Sequence, residues 1–136
     1  MYSVSLVGVL VAAVVAFVVG FLFHGPLFGK LWMRLADVHP TGNEKFSDMY
    51  GQMFMNLVMN VVAAYALAVV YSFAVGSLGA GVGTRVACGI LVAIGFQATA
   101  SSMEVIWMKR SVQLYLFECV SMLVGYIAMG IVIASM

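Results

Sequence analysis

The run "SVSLVGVLVAAVVAFVVGFLF" at residues 3–23 decides the fold class, because it carries no charged side chain along its whole length. A helix that crosses a bilayer needs about 20 mostly apolar residues. No basic segment precedes the run, and its apolar part is too long for a secretory signal. We therefore expect a retained transmembrane helix near 3–24.

Three further runs have the same character. Residues 49–84 carry no acidic or basic side chain before Arg85, residues 86–103 carry none before Glu104, and Glu118 is the only charged residue in 111–136. Only 8% of the 136 residues are charged and 65% are hydrophobic, whereas soluble domains carry about 25% charge. The sequence predicts a single all-α domain over 1–136, an integral membrane four-helix bundle with helices near 3–24, 50–74, 85–108 and 112–134.

Several classes of function are disfavoured by composition and motifs. The net charge is +1, and no basic patch is present that would neutralise phosphates, so we expect no nucleic-acid partner. No nucleophile elbow, catalytic carboxylate pair or zinc motif is visible. We expect a non-enzymatic protein without a cofactor, whose first partner is the lipid bilayer.

Orientation is predicted by the basic residues of the loops. Of the six lysines and arginines, five flank the first and third connections, and Arg85 alone lies at the second. Basic loops stay in the cytoplasm. The pattern therefore predicts a multi-pass protein of the plasma (inner) membrane with both termini outside.

The connection after the first helix contains a second helical pattern. Gly25 and Pro26 end helix one, because proline restricts the residue before it and donates no backbone hydrogen bond. The next apolar residues recur at helical spacing, opposite basic ones. This predicts a short amphipathic helix near 27–37 in the headgroup region, with interfacial anchors at Lys30, Trp32 and Arg34. Farther along, Thr41 and Glu44 have capping-box spacing, so we expect helix two to begin before the membrane.

Three segments carry a resemblance to a known family. They are "HGPLFGKLWMRL" (24–35), "AIGFQATASSMEVIWMKRSVQLYLF" (93–117) and "YIAMGIVIA" (126–134). Across nearly the whole chain the sequence resembles the family known as domain of unknown function 1761. The resemblance implies a small four-helix membrane protein and transfers no activity, cofactor or site residue. At His24 the chain departs from the family pattern, in which an aromatic residue is commoner.

Helix one carries a stripe of small residues at a strict spacing of four. In lipid, small residues mark the faces where helix backbones approach one another. Packing inside the monomer and contact between copies are both compatible with such a stripe, and a chain this small favours a homo-oligomer by some face. The stripe consists of Gly8, Ala12, Ala16 and Gly20.

Polar side chains gather in the half of the bundle that we expect to face the cytoplasm. Helix one ends in His24, and helix two carries Asn56 and Asn60 one turn apart. Helices three and four carry polar stripes that include both glutamates. These residues are candidates for binding a small ligand or protons: His24, Asn56, Asn60, Gln97, Ser101, Glu104 and Glu118.

Three interpretations of this polar group remain open from sequence alone. The glutamates could pair with Lys109, Arg110 and Arg34, and so only fix the topology. They could instead form a pocket that binds a ligand or relays protons, since a buried acid without a basic partner favours its protonated form. A metal site of His24 with both glutamates is the third, although the sequence shows no Glu-x-x-His spacing, and we predict no metal. The nearby methionines fit gap-filling better than copper binding.

The functional expectation is therefore broad. We expect transport, or the binding of a small ligand or of protons, through a polar pocket in the cytoplasmic half. The alternative is a structural or accessory subunit that binds another membrane protein in a larger complex.

The orientation yields a labelling prediction. In a variant with Cys88 and Cys119 replaced by alanine, Gly79→Cys should react with a membrane-impermeant maleimide added to intact cells, and Thr41→Cys should react only after lysis. The physical reason is the retention of basic loops in the cytoplasm. The opposite labelling pattern would reverse the assigned orientation.

Overall fold

The computed structural model describes residues 4–37 and 50–135, and these residues are almost entirely helical. The helices are α1 (Leu6–His24), α2 (Gly29–Ala36), α3 (Tyr50–Leu78), α4 (Val82–Val92), α5 (Thr99–Ile106) and α6 (Val112–Ser135), and no strand occurs in the described ranges. A π-helical segment, Ala93–Ala98, joins α4 to α5. Four helical stretches are long and apolar enough to cross a membrane: Leu6–His24, Tyr50–Leu78, Val82–Ile106 and Val112–Ile133. The capping box that we expected at Thr41 and Glu44 lies outside the described residues.

Large apolar side chains cover the outside of the helices. They are exposed on every long helix, which a monomeric protein in water avoids over so large an area. In a bilayer the same surface faces lipid tails, and every backbone polar group of a helix is satisfied internally. Examples are Leu6, Leu10, Phe54, Tyr65, Ile94, Phe96 and Leu116.

The bundle is built around the antiparallel pair α1 and α6. Helix α1 packs against α3 on one side and α6 on the other, α6 also packs against α4, and α3 touches α4. The turn after α1, helix α2 and the turn after α5 lie at one end, which we call the basic end because it carries Lys30, Arg34, Lys109 and Arg110. The opposite end is the far end.

The tight core lies toward the far end. Alanines of α1 and α3, including Ala12, Ala13 and Ala64, are completely buried there, beside Leu67 and Met129. Alanine faces let the backbones of neighbouring helices approach, which is the main source of helix association in lipid. Toward the basic end the packing opens, and this opening is the setting of the candidate site.

The third membrane-length stretch differs from the simple helix expected near 85–108. It begins at Val82 and is interrupted by the π-helical turn Ala93–Ala98. The hydroxyl of Tyr115 on α6 donates to the Ala98 carbonyl oxygen at 2.6 Å, and Thr99 Oγ1 donates to the carbonyl oxygens of Gly95 and Phe96 at 2.9 and 3.0 Å. A π turn disturbs the regular hydrogen-bond ladder, and these hydroxyls satisfy carbonyls around it.

The second connection is shorter than the glycine-rich sequence suggested. Helix α3 continues to Leu78, and α4 starts at Val82, so the turn is only 79–81. Gly79 adopts a φ of +83°, which glycine tolerates without strain, and Thr84 Oγ1 donates to the Leu78 carbonyl oxygen at 3.2 Å.

Two glycines set the contact between α4 and α6. A Cβ atom added at Gly89 would lie 2.8 Å from the Tyr126 carbonyl oxygen, and one at Gly130 would lie 2.7 Å from the Arg85 carbonyl oxygen. Both neighbours are backbone atoms that cannot rotate away. The close approach of these two helices therefore requires glycine at both positions.

Substitution of these glycines should destabilise the bundle. We expect Gly89→Ala and Gly130→Ala each to cost about 1–3 kcal/mol, because overpacking forces the helices apart, in unfolding measurements in mixed micelles. Gly76→Ala is the matched control, since a Cβ there meets nothing within 4 Å. Equal stability of all three variants would show that α4 and α6 do not pack this closely.

Candidate functional site

The centre of the site is the carboxylate of Glu118, which lies near the start of α6. Its two oxygens lie 3.2 and 3.1 Å from Nε2 of His24, and Trp32 Nε1 donates to one of them at 3.2 Å. His24 ends α1 and Trp32 lies on α2. One acidic side chain therefore joins three helices at the basic end.

The hydrogen bonds of the His24 ring determine how many protons this pair holds. Nδ1 lies 2.8 Å from the Gly20 carbonyl oxygen, which can only accept, so Nδ1 carries a hydrogen. Nε2 faces the Glu118 carboxylate, so a second proton lies between nitrogen and oxygen. That proton sits either on His24, giving an ion pair, or on Glu118, giving two neutral groups, and the pair is electrically neutral in both cases.

The turn between α1 and α2 brings His24 and Trp32 together. A Cβ at Gly25 would lie 2.8 Å from the Phe21 carbonyl oxygen, and one at Gly29 would lie 3.1 Å from the His24 carbonyl oxygen. The chain therefore folds back more tightly than a side chain at Gly25 permits. The imidazole and indole rings then meet edge to face, with centroids 5.3 Å apart.

Three phenylalanine rings pack together beside this turn. Phe23 lies 5.3 Å from Phe28 and 6.2 Å from Phe117 between ring centroids, and Phe28 lies 6.4 Å from Phe117. These are separations at which aromatic pairs attract. The cluster fixes α2 against α1 and α6, one residue from His24 and one residue from Glu118.

A cavity of about 590 Å³ lies between α1, α3 and α6 beside this pair. Its polar end is formed by His24, Trp32, Asn56, Asn60, Glu118 and Ser121, and its apolar part by phenylalanine, methionine and tyrosine side chains. Gly20 and Gly125 also line it, and a Cβ at either would meet nothing within 4 Å. The opening exists partly because two facing positions lack side chains.

Glu104, one of the candidates for a polar pocket, lies at the surface of the bundle. Its carboxylate pairs with Arg110 at 2.8 Å, and the two side chains remain 51% and 46% exposed. The tight turn after α5 brings the Arg110 side chain back beside α5, where it pairs with Glu104 at the surface. Of the three interpretations left open by the sequence, pairing with a basic loop residue describes Glu104, whereas Glu118 is bound by His24.

A second, smaller cavity of about 240 Å³ is also lined by Glu118. Ser101 and Glu104 of α5, Arg110, and Tyr115 and Glu118 of α6 are among its lining residues. Glu118 and Met122 therefore line both cavities.

The remaining sequence candidates occupy more ordinary positions. Asn60 Nδ2 donates to Asn56 Oδ1 at 2.9 Å, and Gln97 Nε2 donates to Ser101 Oγ at 3.5 Å, each within its own helix. Lys30 and Arg34 are exposed on α2. The small stripe of helix one is divided: Gly8, Ala12 and Ala16 are buried, and Gly20 borders the large cavity.

The described residues give no cluster of three His, Cys, Asp or Glu side chains that could hold a metal ion. His24 and Glu118 meet, but Glu104 is held away from them by Arg110. The metal interpretation therefore lacks its third ligand in the described part of the chain.

Two contributors to the site were not anticipated in their structural roles. Trp32, which we predict to be an interfacial anchor, also donates its indole N–H to Glu118. Tyr115 was not singled out, although it precedes Glu118 by three residues and so shares its helix face. The helical spacing could have identified Tyr115, whereas nothing local to Trp32 indicates a partner 86 residues away.

The partial burial of the His24–Glu118 pair predicts a measurable coupling. Each side chain is 30% exposed, so in a double-mutant cycle of His24→Ala and Glu118→Ala we expect a coupling energy of about 1–3 kcal/mol. The Glu104–Arg110 pair is more exposed and should give less than about 1 kcal/mol. A larger coupling for the Glu104 pair would contradict this order.

Comparison with known proteins identifies the family and nothing beyond it. No curated protein and no solved structure matches the chain. The family described as "Protein of unknown function (DUF1761)" matches residues 7–134, which is nearly the whole chain and agrees with the resemblance noted in the sequence. The chain therefore belongs to the DUF1761 family of proteins of unknown function.

Proposed function

We propose that this chain is a multi-pass membrane protein that binds a small amphipathic molecule in the cavity between α1, α3 and α6. The observation that carries the proposal is the composition of that cavity. Its polar end holds a neutral His24–Glu118 pair and two asparagines, and the rest is apolar. Binding sites for small molecules typically combine an apolar lining with a few converging polar groups.

The volume supports a ligand rather than a packing defect. About 590 Å³ lies within the range of roughly 300–1,000 Å³ found for ligand pockets. The His24 and Glu118 side chains are each 30% exposed beside this space, and Asn56 is exposed, so a polar group of a ligand can reach them. A ligand with one polar end satisfies both parts of the lining.

The expected orientation places this site in the cytoplasmic half of the bundle. The basic end carries Lys30, Arg34, Lys109 and Arg110, and such residues stay on the cytoplasmic side. In that orientation the ligand enters or leaves on the cytoplasmic side of the plasma (inner) membrane. Transport and simple binding both fit this placement, as does a homo-oligomer formed through the exposed apolar faces.

Filling the cavity tests the proposal. We expect wild-type protein purified in lipid nanodiscs to retain a small non-lipid molecule in native mass spectrometry, and Gly20→Leu/Gly125→Leu to lack it. Both substituted positions face open space and leucine favours helix, so the variant should fold. Gly76→Leu, also in open space but outside the cavity, is the control.

Two other outcomes would overturn the proposal. A molecule retained equally by the filled variant and the control would bind elsewhere. A wild-type protein that carries no small molecule, but co-purifies at fixed stoichiometry with another polypeptide, would support the accessory-subunit alternative instead.

A further inference from the structure

We propose that the ligand of this cavity is a small organic cation, and that its binding to Glu118 displaces one proton from the His24–Glu118 pair. This inference rests on the proposed ligand-binding function and specifies its substrate class. The inference is carried by the position of the Glu118 carboxylate. It is paired with His24, which can lose its charge, and it lines a cavity that also has aromatic side chains.

Within the pair, Glu118 is the member that keeps its charge when a cation binds. Trp32 donates an N–H to Glu118 at 3.2 Å, and an indole N–H can only donate, so it favours the ionised carboxylate. The charge on His24 depends instead on Glu118 itself, at 3.1 Å. Of the two groups, His24 is the one that becomes neutral by losing a proton near physiological pH.

Aromatic side chains form part of the cavity wall. Phe17, Phe21, Trp32 and Tyr126 line it, and the faces of aromatic rings attract cations. The same faces repel anions. The lining therefore favours a cation over an anion as the group that replaces His24 beside Glu118.

The proposed exchange leaves the net charge of the site unchanged. Before binding, the pair is neutral and holds a proton between His24 Nε2 and the carboxylate. When an organic cation pairs with Glu118, that proton leaves for solvent and His24 becomes neutral, with Nδ1 still donating to the Gly20 carbonyl oxygen. One positive charge enters and one leaves, so the site remains neutral, which matters because a net charge inside a bilayer is costly.

The smaller cavity offers the proton a route away from the ligand. Glu118 lines both cavities, and the rim residues Glu104 and Arg110 of the smaller one are half exposed. The departing proton can therefore leave the shared carboxylate through the smaller cavity while the ligand occupies the larger one.

Other titratable groups near the pair do not supply this exchange. In the described part of the chain, the two cavities also contain Glu104, Arg110, Tyr115 and Tyr126, with Cys119 adjacent to Glu118 in sequence. Glu104 is paired with Arg110 at 2.8 Å, and a phenol or thiol group does not carry the positive charge that the exchange requires. From α2 and α3 the lining contributes only uncharged side chains, including Trp32, Asn56 and Asn60.

Two probes of matched shape and opposite charge test the inference. Tetraphenylphosphonium and tetraphenylborate are titrated into purified protein in nanodiscs of neutral lipid, with binding and proton release measured together. We expect the cation to bind with release of about one proton, and its affinity to rise about tenfold per pH unit until His24 is deprotonated without it. The borate should bind more weakly than the cation.

Variants separate the roles of the two residues. Glu118→Gln should weaken binding of the cation by about tenfold or more, since it removes the charge that the cation meets, and Glu118→Asp should restore proton release. His24→Gln should retain binding but shift the midpoint of the pH profile by more than about one unit. Lys30→Gln, at an exposed position that lines neither cavity, should behave as wild type.

Several results would overturn the inference. They are tighter binding of the borate, cation binding without proton release, an unchanged pH profile in His24→Gln, or failure of the cation to bind at all. If the cation fails but the cavity-filling variant still loses its co-purifying molecule, the ligand class is wrong and the binding function stands.

Discussion

The contact that organises this protein is the one between Glu118 and its two donors, His24 and Trp32. A carboxylate inside a membrane-length helix is tolerated when its charge is met by a partner and its oxygens accept hydrogen bonds. Here the partners come from the end of α1 and from α2. The Trp32 contact ties α2 to α6, and the His24–Glu118 pair forms part of the polar lining of the large cavity.

The two ends of the bundle differ because their small residues do different work. Toward the far end, Ala12 and Ala64 are fully buried and let α1 and α3 approach. Toward the basic end, Gly20 and Gly125 face empty space rather than a neighbouring backbone. The same class of residue thus closes the bundle at one end and leaves room at the other, where the polar side chains lie.

Much of this architecture is predictable from the sequence for a simple physical reason. Long charge-free runs have few stable structures in lipid other than helices, and the Gly25-Pro26 pair indicates where α1 must stop. The polar stripes at helical spacing also indicated that His24, Asn56 and Glu118 lie in the same half of the bundle, where they line one cavity. The family resemblance is confirmed by the match over residues 7–134.

The choice of partners was not predictable in the same way. Whether Glu118 pairs with Arg110 or with His24 depends on the rotation of α6 and on the turn after α5. In that turn Arg110 pairs with Glu104. The π turn at Ala93–Ala98 is likewise a tertiary effect, since the Tyr115 hydroxyl that satisfies Ala98 comes from another helix. Periodicity places residues on a face, but it does not determine which face meets which.

The most direct test of this account is the protonation state of His24 in a lipid bilayer. With His39 replaced by glutamine, solid-state nitrogen NMR observes a single imidazole and its distance to the Glu118 carboxyl carbon. The account predicts a proton on Nδ1, a second proton shared between Nε2 and Glu118, and a close contact between the two groups near neutral pH. A singly protonated His24 ring that shows no close contact with the Glu118 carboxyl carbon would contradict it.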